Sequence, residues 1–129
     1  MAFADDILLN PDFLAIAEVP GLTLGAIWES IWVIDFNQER TYNIGDLDGM
    51  VDIGLVAANG TWAITAREKI LLWRTGECTA IERDDLACVE EIQLAGPDHV
   101  KLSVDTNNMN GNRSEWIFGI HDLSLGRLS

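Results

Sequence analysis

The side chains best suited to bind a metal ion or act as a nucleophile are two histidines and two cysteines. His99 follows a Gly-Pro-Asp turn and His121 ends an apolar segment. Cys88 precedes acidic residues that disfavour a thiolate, and Cys78 lies in no basic stretch that would favour one. A zinc site needs three or four ligands at a recognisable spacing, and no such spacing, nucleophile elbow or phosphate-binding glycine loop is present. We therefore expect no metal, no cofactor and no enzymatic activity.

The stretch GDLDGMVDIG (45–54) raises the question of a calcium site. If Gly49 is the sixth residue of a calcium loop, three aspartates occupy oxygen-ligand positions. They are Asp46, Asp48 and Asp52. This stretch resembles the DxDGxxD loops of calcium-binding β-propeller repeats of the integrin type. The resemblance implies an ion held between two strands.

The same stretch lacks the ligands that would complete such a loop. Ile44 at the first position and Leu55 at the twelfth have no side-chain oxygen. We also expect a chain of 129 residues to be too short for a propeller of several four-stranded blades. The stretch is therefore interpreted as a hairpin turn whose aspartates accept hydrogen bonds from backbone amides.

Acidic residues are concentrated in ERDDLACVEE (82–91), where they outnumber the single arginine. If 79–82 and 89–94 pair as a hairpin, these carboxylates crowd one end of a sheet, which costs stability. The cluster either serves solubility or binds a basic partner. For the second case the predicted binding residues are Asp84, Asp85, Glu90 and Glu91.

Two of the five tryptophans are candidates for the same surface. Trp28 is followed at once by Glu29 near a predicted strand end. Trp73 follows two leucines, so its strand has apolar residues on both faces. Because exposed aromatic residues beside carboxylates are typical of protein-binding hot spots, we include Trp28 and Trp73 in the predicted binding site.

The elements that position these residues begin with a predicted helix over 10–19. Asn10 can cap it, Pro11 suits its first position and Pro20 ends it. Short segments with apolar alternation or β-branched residues follow, and these predict strands. They are 30–36, 51–57, 61–66, 69–74, 79–82, 89–94, 100–104 and 115–120.

This pattern predicts one mainly β domain over 1–129, with antiparallel strands over 22–129 and one short N-terminal helix. We expect about eight or nine short strands, folded as a small barrel or a sandwich. The pattern leaves the choice between barrel and sandwich open.

The net charge of −13 indicates which partners to expect. A surface this negative repels phosphate, so nucleic acid is not an expected partner, whereas a basic protein is attracted. No segment has the length and apolarity of a membrane span, and the N-terminal residues lack the basic start of a signal peptide. Cys78 and Cys88 are expected to be reduced, with a cross-strand disulfide between them as the alternative. Reduced cysteines predict a cytoplasmic protein.

Three functional hypotheses remain. The favoured one is a protein-binding module, most concretely an immunity or antitoxin protein that inhibits a basic toxin or enzyme. The alternatives are a small-molecule-binding β-barrel with an aromatic-lined cavity and an enzyme with an unrecognised carboxylate site. The sequence does not identify the partner or the oligomeric state.

Overall fold

A computed structural model describes residues 3–49, 51–83, 86, 88–105 and 113–128. These residues form one short helix, α1 (Asp5–Leu8), and twelve strands. The strands are β1 (Phe13–Val19), β2 (Leu22–Ile27), β3 (Ser30–Asp35), β4 (Arg40–Asp46), β5 (Gly54–Val56), β6 (Trp62–Ala66), β7 (Ile70–Arg74), β8 (Glu77–Ile81), β9 (Val89–Gly96), β10 (His99–Asp105), β11 (Arg113–Gly119) and β12 (Leu125–Arg127).

The twelve strands form three antiparallel sheets of four consecutive strands each. Sheet 1 contains β1–β4, sheet 2 contains β5–β8 and sheet 3 contains β9–β12. Within each sheet, every strand pairs with the next one along the chain. The mainly β, antiparallel class is thus confirmed, with a sandwich-like packing of sheets and no closed barrel in the described parts of the chain. The chain has room for three four-stranded sheets because strands of three to eight residues need little chain.

Sheet 2 lies between the other two sheets, and its strands β6 and β7 are buried on both faces. One face packs with sheet 1 through Ala63, Leu71 and Trp73. The other packs with sheet 3 through residues that include Ile64 and Leu72. Consecutive residues of β6 and β7 are therefore buried, which explains their almost continuous apolar sequence.

The predicted helix over 10–19 was wrong, because most of this segment is strand β1. Asn10 does not cap a helix; its side-chain oxygen accepts a hydrogen bond from the Asp12 N–H at 2.8 Å. The β1–β2 pairing shifts register between Ala15 and Ala17. A bulge of this kind inserts one extra residue, so half-buried positions recur at a spacing that resembles helical periodicity.

The helix that does form, α1, lies upstream of the predicted one. Its Ile7, together with Ala4, packs against Ile34 of β3. It therefore covers the face of sheet 1 that points away from sheet 2. The one helix of the described residues, α1, is not long enough to cross a membrane.

The stretch 45–54 is not a hairpin turn, as expected from its sequence, but the connection from sheet 1 to sheet 2. Asp46 ends β4, and its carboxylate accepts a hydrogen bond from the Ser30 hydroxyl at 3.1 Å. Leu47 is buried, and Gly49 has a φ of +74°. Among the described residues, no group of three or more histidine, cysteine or acidic side chains is placed to hold a metal ion.

Candidate protein-binding surface

Connections from all three sheets meet at one end of the molecule. The N–H of Leu47, in the β4–β5 connection, donates to the Glu29 carbonyl in the β2–β3 turn at 2.9 Å. The Asp48 N–H donates to the Glu68 carboxylate of the β6–β7 turn at 3.1 Å. These hydrogen bonds hold the end of sheet 1 against the end of sheet 2.

Two further hydrogen bonds connect sheet 3 to this end. The Val89 N–H donates to the Arg67 carbonyl at 2.7 Å, and the Asp105 N–H donates to the Cys88 carbonyl at 2.9 Å. Strands β8 and β9 belong to different sheets, so they do not pair as the predicted hairpin.

We call this end the acidic end, because most of its charged side chains are carboxylates. Among the described residues, its exposed acids include Glu29, Asp46, Asp48, Asp52, Glu82, Glu90 and Glu91. The described bases near this end include Arg67, Lys69, Arg83 and Arg127. A cleft of about 410 Å³ opens here, and Asp52, Arg67 and Glu90 are among the residues that line it.

The predicted acidic site residues fall partly within this surface. Glu90 and Glu91 are exposed near the start of β9, and the Glu91 carboxylate accepts a hydrogen bond from the Gln93 amide at 2.9 Å. Asp84 and Asp85 lie outside the described residues. Glu29, Asp48 and Asp52 also lie at this end, although the sequence pattern did not include them among the predicted protein-binding residues.

Trp28 lies at the acidic end, in the turn between β2 and β3. Its side chain is 61% exposed. Its backbone is left-handed, with a φ of +54°. That conformation costs a residue other than glycine about 1–2 kcal/mol. The turn therefore presents a large aromatic side chain to solvent from a strained position, and strained backbone is often found at functional sites.

Trp73 is buried, so its predicted role as an exposed anchor was wrong. It is 2% exposed and packs between sheets 1 and 2, with the Tyr42 ring at 5.5 Å between centroids. Trp73 belongs to β7, which is covered on both faces. The apolar residues on both faces of β7 therefore reflect packing against sheet 1 on one face and sheet 3 on the other, and not exposure.

The buried indole of Trp73 has no hydrogen-bond partner for its Nε1 atom among the described residues. Trp116 is a matched contrast. Its Nε1–H donates to the Ser114 hydroxyl at 2.9 Å, and the guanidinium groups of Arg83 and Arg127 lie 5.6 and 5.9 Å from its ring centroid. The indole N–H and ring of Trp116 therefore make stabilising contacts, whereas the indole N–H of Trp73 makes none with the described residues.

This difference predicts that Trp116→Phe destabilises the protein more than Trp73→Phe. Both substitutions remove the same part of the ring. A buried unsatisfied donor destabilises the folded state by about 1–3 kcal/mol. Only Trp73→Phe removes such a donor, so part of its loss of stability is offset. Trp116→Phe instead loses a hydrogen bond and weakens two cation–π contacts of about 0.5–1 kcal/mol each. Urea unfolding should show a difference of at least about 1 kcal/mol, and equal losses would contradict the assignment.

The remaining candidates for chemistry do not form a catalytic arrangement in the described residues. Burial raises the pKa of the Cys78 thiol, so its thiolate fraction at neutral pH is low. The His121 Nε2 lies 3.3 Å from the Asp98 carboxylate in an exposed pair at the opposite end of the sheets. The ligand-binding barrel is not supported, because the described sheets enclose no barrel interior.

Comparison with known proteins shows similarity of fold. No protein-family model and no curated protein sequence matches the chain. Among solved structures, the chain is similar to U3-55K (10% identity, 92% of this chain and 40% of that chain, TM-score 0.61). It is also similar to the WD40 repeats of RRP9 (10% identity, 91% of this chain and 38% of that chain, TM-score 0.61). A third similar structure is the hydrazine synthase of Kuenenia stuttgartiensis (16% identity, 87% of this chain and 36% of that chain, TM-score 0.60).

These structures clarify how the three sheets are arranged. WD40 repeats form propeller blades of four antiparallel strands, and each sheet of this chain has that composition. The chain spans about 36–40% of the length of these three structures. Its fold is therefore that of three consecutive four-stranded sheets packed face to face, as in part of a propeller.

Proposed function

We propose that this chain is a protein-binding module and that its acidic end binds a basic surface of another protein. The observation that carries the proposal is the position of Trp28. This exposed, backbone-strained tryptophan lies on the same end as the exposed carboxylates. Tryptophan is enriched at interface hot spots, and carboxylates accelerate encounter with a basic partner.

The likeness in fold supports this proposal. Similar structures include the WD40 repeats of RRP9. The loops on one face of a repeat protein often form its binding face. In this chain, the connections at the acidic end form such a face, and hydrogen bonds between them hold it together.

The finer form of the proposal is that the partner is a basic toxin or enzyme, which this chain inhibits as an immunity or antitoxin protein does. The module itself would have no enzymatic activity. A cytoplasmic location belongs to the same proposal, because Cys78 and Cys88 are free thiols and reduced cysteines are typical of the cytosol.

The test of this proposal is the substitution Trp28→Asn. Asparagine tolerates left-handed backbone, so the melting temperature should be unchanged or slightly higher. If Trp28 is an anchor, its loss should weaken binding by about 2 kcal/mol or more, which is about 30-fold. The measurement is capture of partners from a lysate of the source organism, followed by titration of the partner identified.

Phe36→Asn provides the matched control, because Phe36 is a 40% exposed aromatic residue but lies just after β3, at the end of sheet 1 opposite Trp28. This variant should bind like the unsubstituted protein. If Trp28→Asn and Phe36→Asn have the same small effect on binding, Trp28 is not an anchor and the proposed surface is wrong.

A further inference from the structure

Strand β9 has an open edge. It is an edge strand of sheet 3. It pairs with β10 on one side, and no described strand pairs with its other side. The N–H of its first residue, Val89, is bonded to the Arg67 carbonyl. Beyond that point, residues 93–95 are exposed in succession. Since side chains alternate between faces, successive exposure indicates that both faces of the strand are accessible there.

An apolar cleft lies beside this edge. It has a volume of about 240 Å³ and is lined by Leu94 and Pro97 on one side and by residues that include Leu55 and Trp62 on the other. Leu94 is 62% exposed. Pockets for small-molecule ligands are usually about 300–1,000 Å³, so this cleft is better suited to one large side chain.

Charge distinguishes the two ends of the edge. Glu90 and Glu91 are exposed at the start of β9, and Glu90 also lines the cleft at the acidic end. Leu94 lies four residues further along, which is about 13 Å in a strand. An acidic group and an apolar cleft therefore lie along the same open edge.

We propose that β9 accepts an extended segment of the partner as an additional strand of sheet 3. A basic side chain of that segment lies beside Glu90 and Glu91, and a large apolar side chain enters the cleft at Leu94. In such pairing, backbone hydrogen bonds supply affinity and side-chain pockets supply specificity. This inference rests on the proposed function and assigns the partner class as a basic, extended peptide segment.

The test uses fluorescent nine-residue peptides in which a lysine and a leucine lie four residues apart, in both chain orders. We expect one order to bind. Moving the leucine by one position should weaken binding at least tenfold, because a one-residue slip turns a side chain to the other face. Leu94→Lys in the protein should weaken binding to a similar extent without loss of stability, since Leu94 is exposed.

Backbone methylation of the peptide separates strand pairing from side-chain contact alone. In a paired strand, alternate N–H groups point toward the partner strand. N-methylation of one alternate set should therefore abolish binding, and methylation of the other set should leave it within about twofold.

Two outcomes would overturn the inference. Equal effects of both methylated sets would exclude strand pairing, and so would the absence of binding by every peptide. If a captured partner still binds through Trp28 in either case, the proposed function stands and only the β9 site is wrong. If Trp28→Asn also leaves partner capture unchanged, the proposed function fails as well.

Discussion

Replacing Glu29, Asp48 and Glu90 with lysine should slow association with a basic partner by about ten- to a thousandfold at low salt, because complementary fields raise association rates by that factor. All three residues are exposed at the acidic end. Stopped-flow or surface-plasmon measurements of the association rate would check this result. Raising the salt toward 0.5 M should reduce the difference, since screening then limits the interaction to a few Å.

A matched control variant has the same net charge, but its three substitutions lie at the end of the molecule opposite the acidic end. Lysine at Glu18, Glu39 and Glu77 changes the net charge equally, but these exposed residues lie near the ends of strands away from the acidic end. This variant should associate much faster than the first one. If both variants associate equally slowly, only total charge matters and the acidic end is not the binding surface.

Leu102→Ala should lower the free energy of unfolding by about 2–5 kcal/mol, whereas Lys101→Ala should lower it by less than about 0.5 kcal/mol. Leu102 is fully buried between sheets 2 and 3. Its neighbour Lys101 lies on the outer face of sheet 3, 3.8 Å from the Glu115 carboxylate in a partly exposed ion pair. Such pairs contribute little to stability.

Chemical unfolding of both variants would measure this contrast. The pair tests the alternation of side chains in β10, because the two residues differ mainly in the face they occupy. Equal losses of stability would contradict a β10 strand with one face in the core and the other exposed.

The sequence was most informative where apolar residues alternate or run continuously. All eight predicted strand segments overlap strands of the structure. In β10, the alternation of Val100, Leu102 and Val104 matches the buried face. These patterns follow directly from burial, which is why they could be recognised without knowledge of the partner strands.

The strands that were missed have local sequences that do not favour a strand. β2 contains Gly25, where a Cβ atom would collide with the Phe13 ring. β4 contains Asn43 and Gly45, which are depleted in strands. These strands form because their neighbours in sheet 1 pair with them, and a single sequence does not reveal such tertiary pairing.

The candidate site was predictable only in part, for a related reason. Glu90 and Trp28 stood out from their local sequence context. Their common location, and the contribution of Glu29 and Asp52, depend on how the connections between sheets meet. Trp73 was assigned to the surface because the double coverage of β7 is a property of the assembled sheets.

The position of sheet 2 between sheets 1 and 3 also determines how stability is shared within the chain. Each outer sheet packs against sheet 2, so the coupling between them is of the nearest-neighbour kind found in repeat proteins. Opening of an outer sheet would leave one interface of sheet 2 intact, whereas opening of sheet 2 would disrupt both. The most slowly exchanging amides should therefore lie in β6 and β7, and a partner strand added at β9 would stabilise the chain from one terminal unit inward.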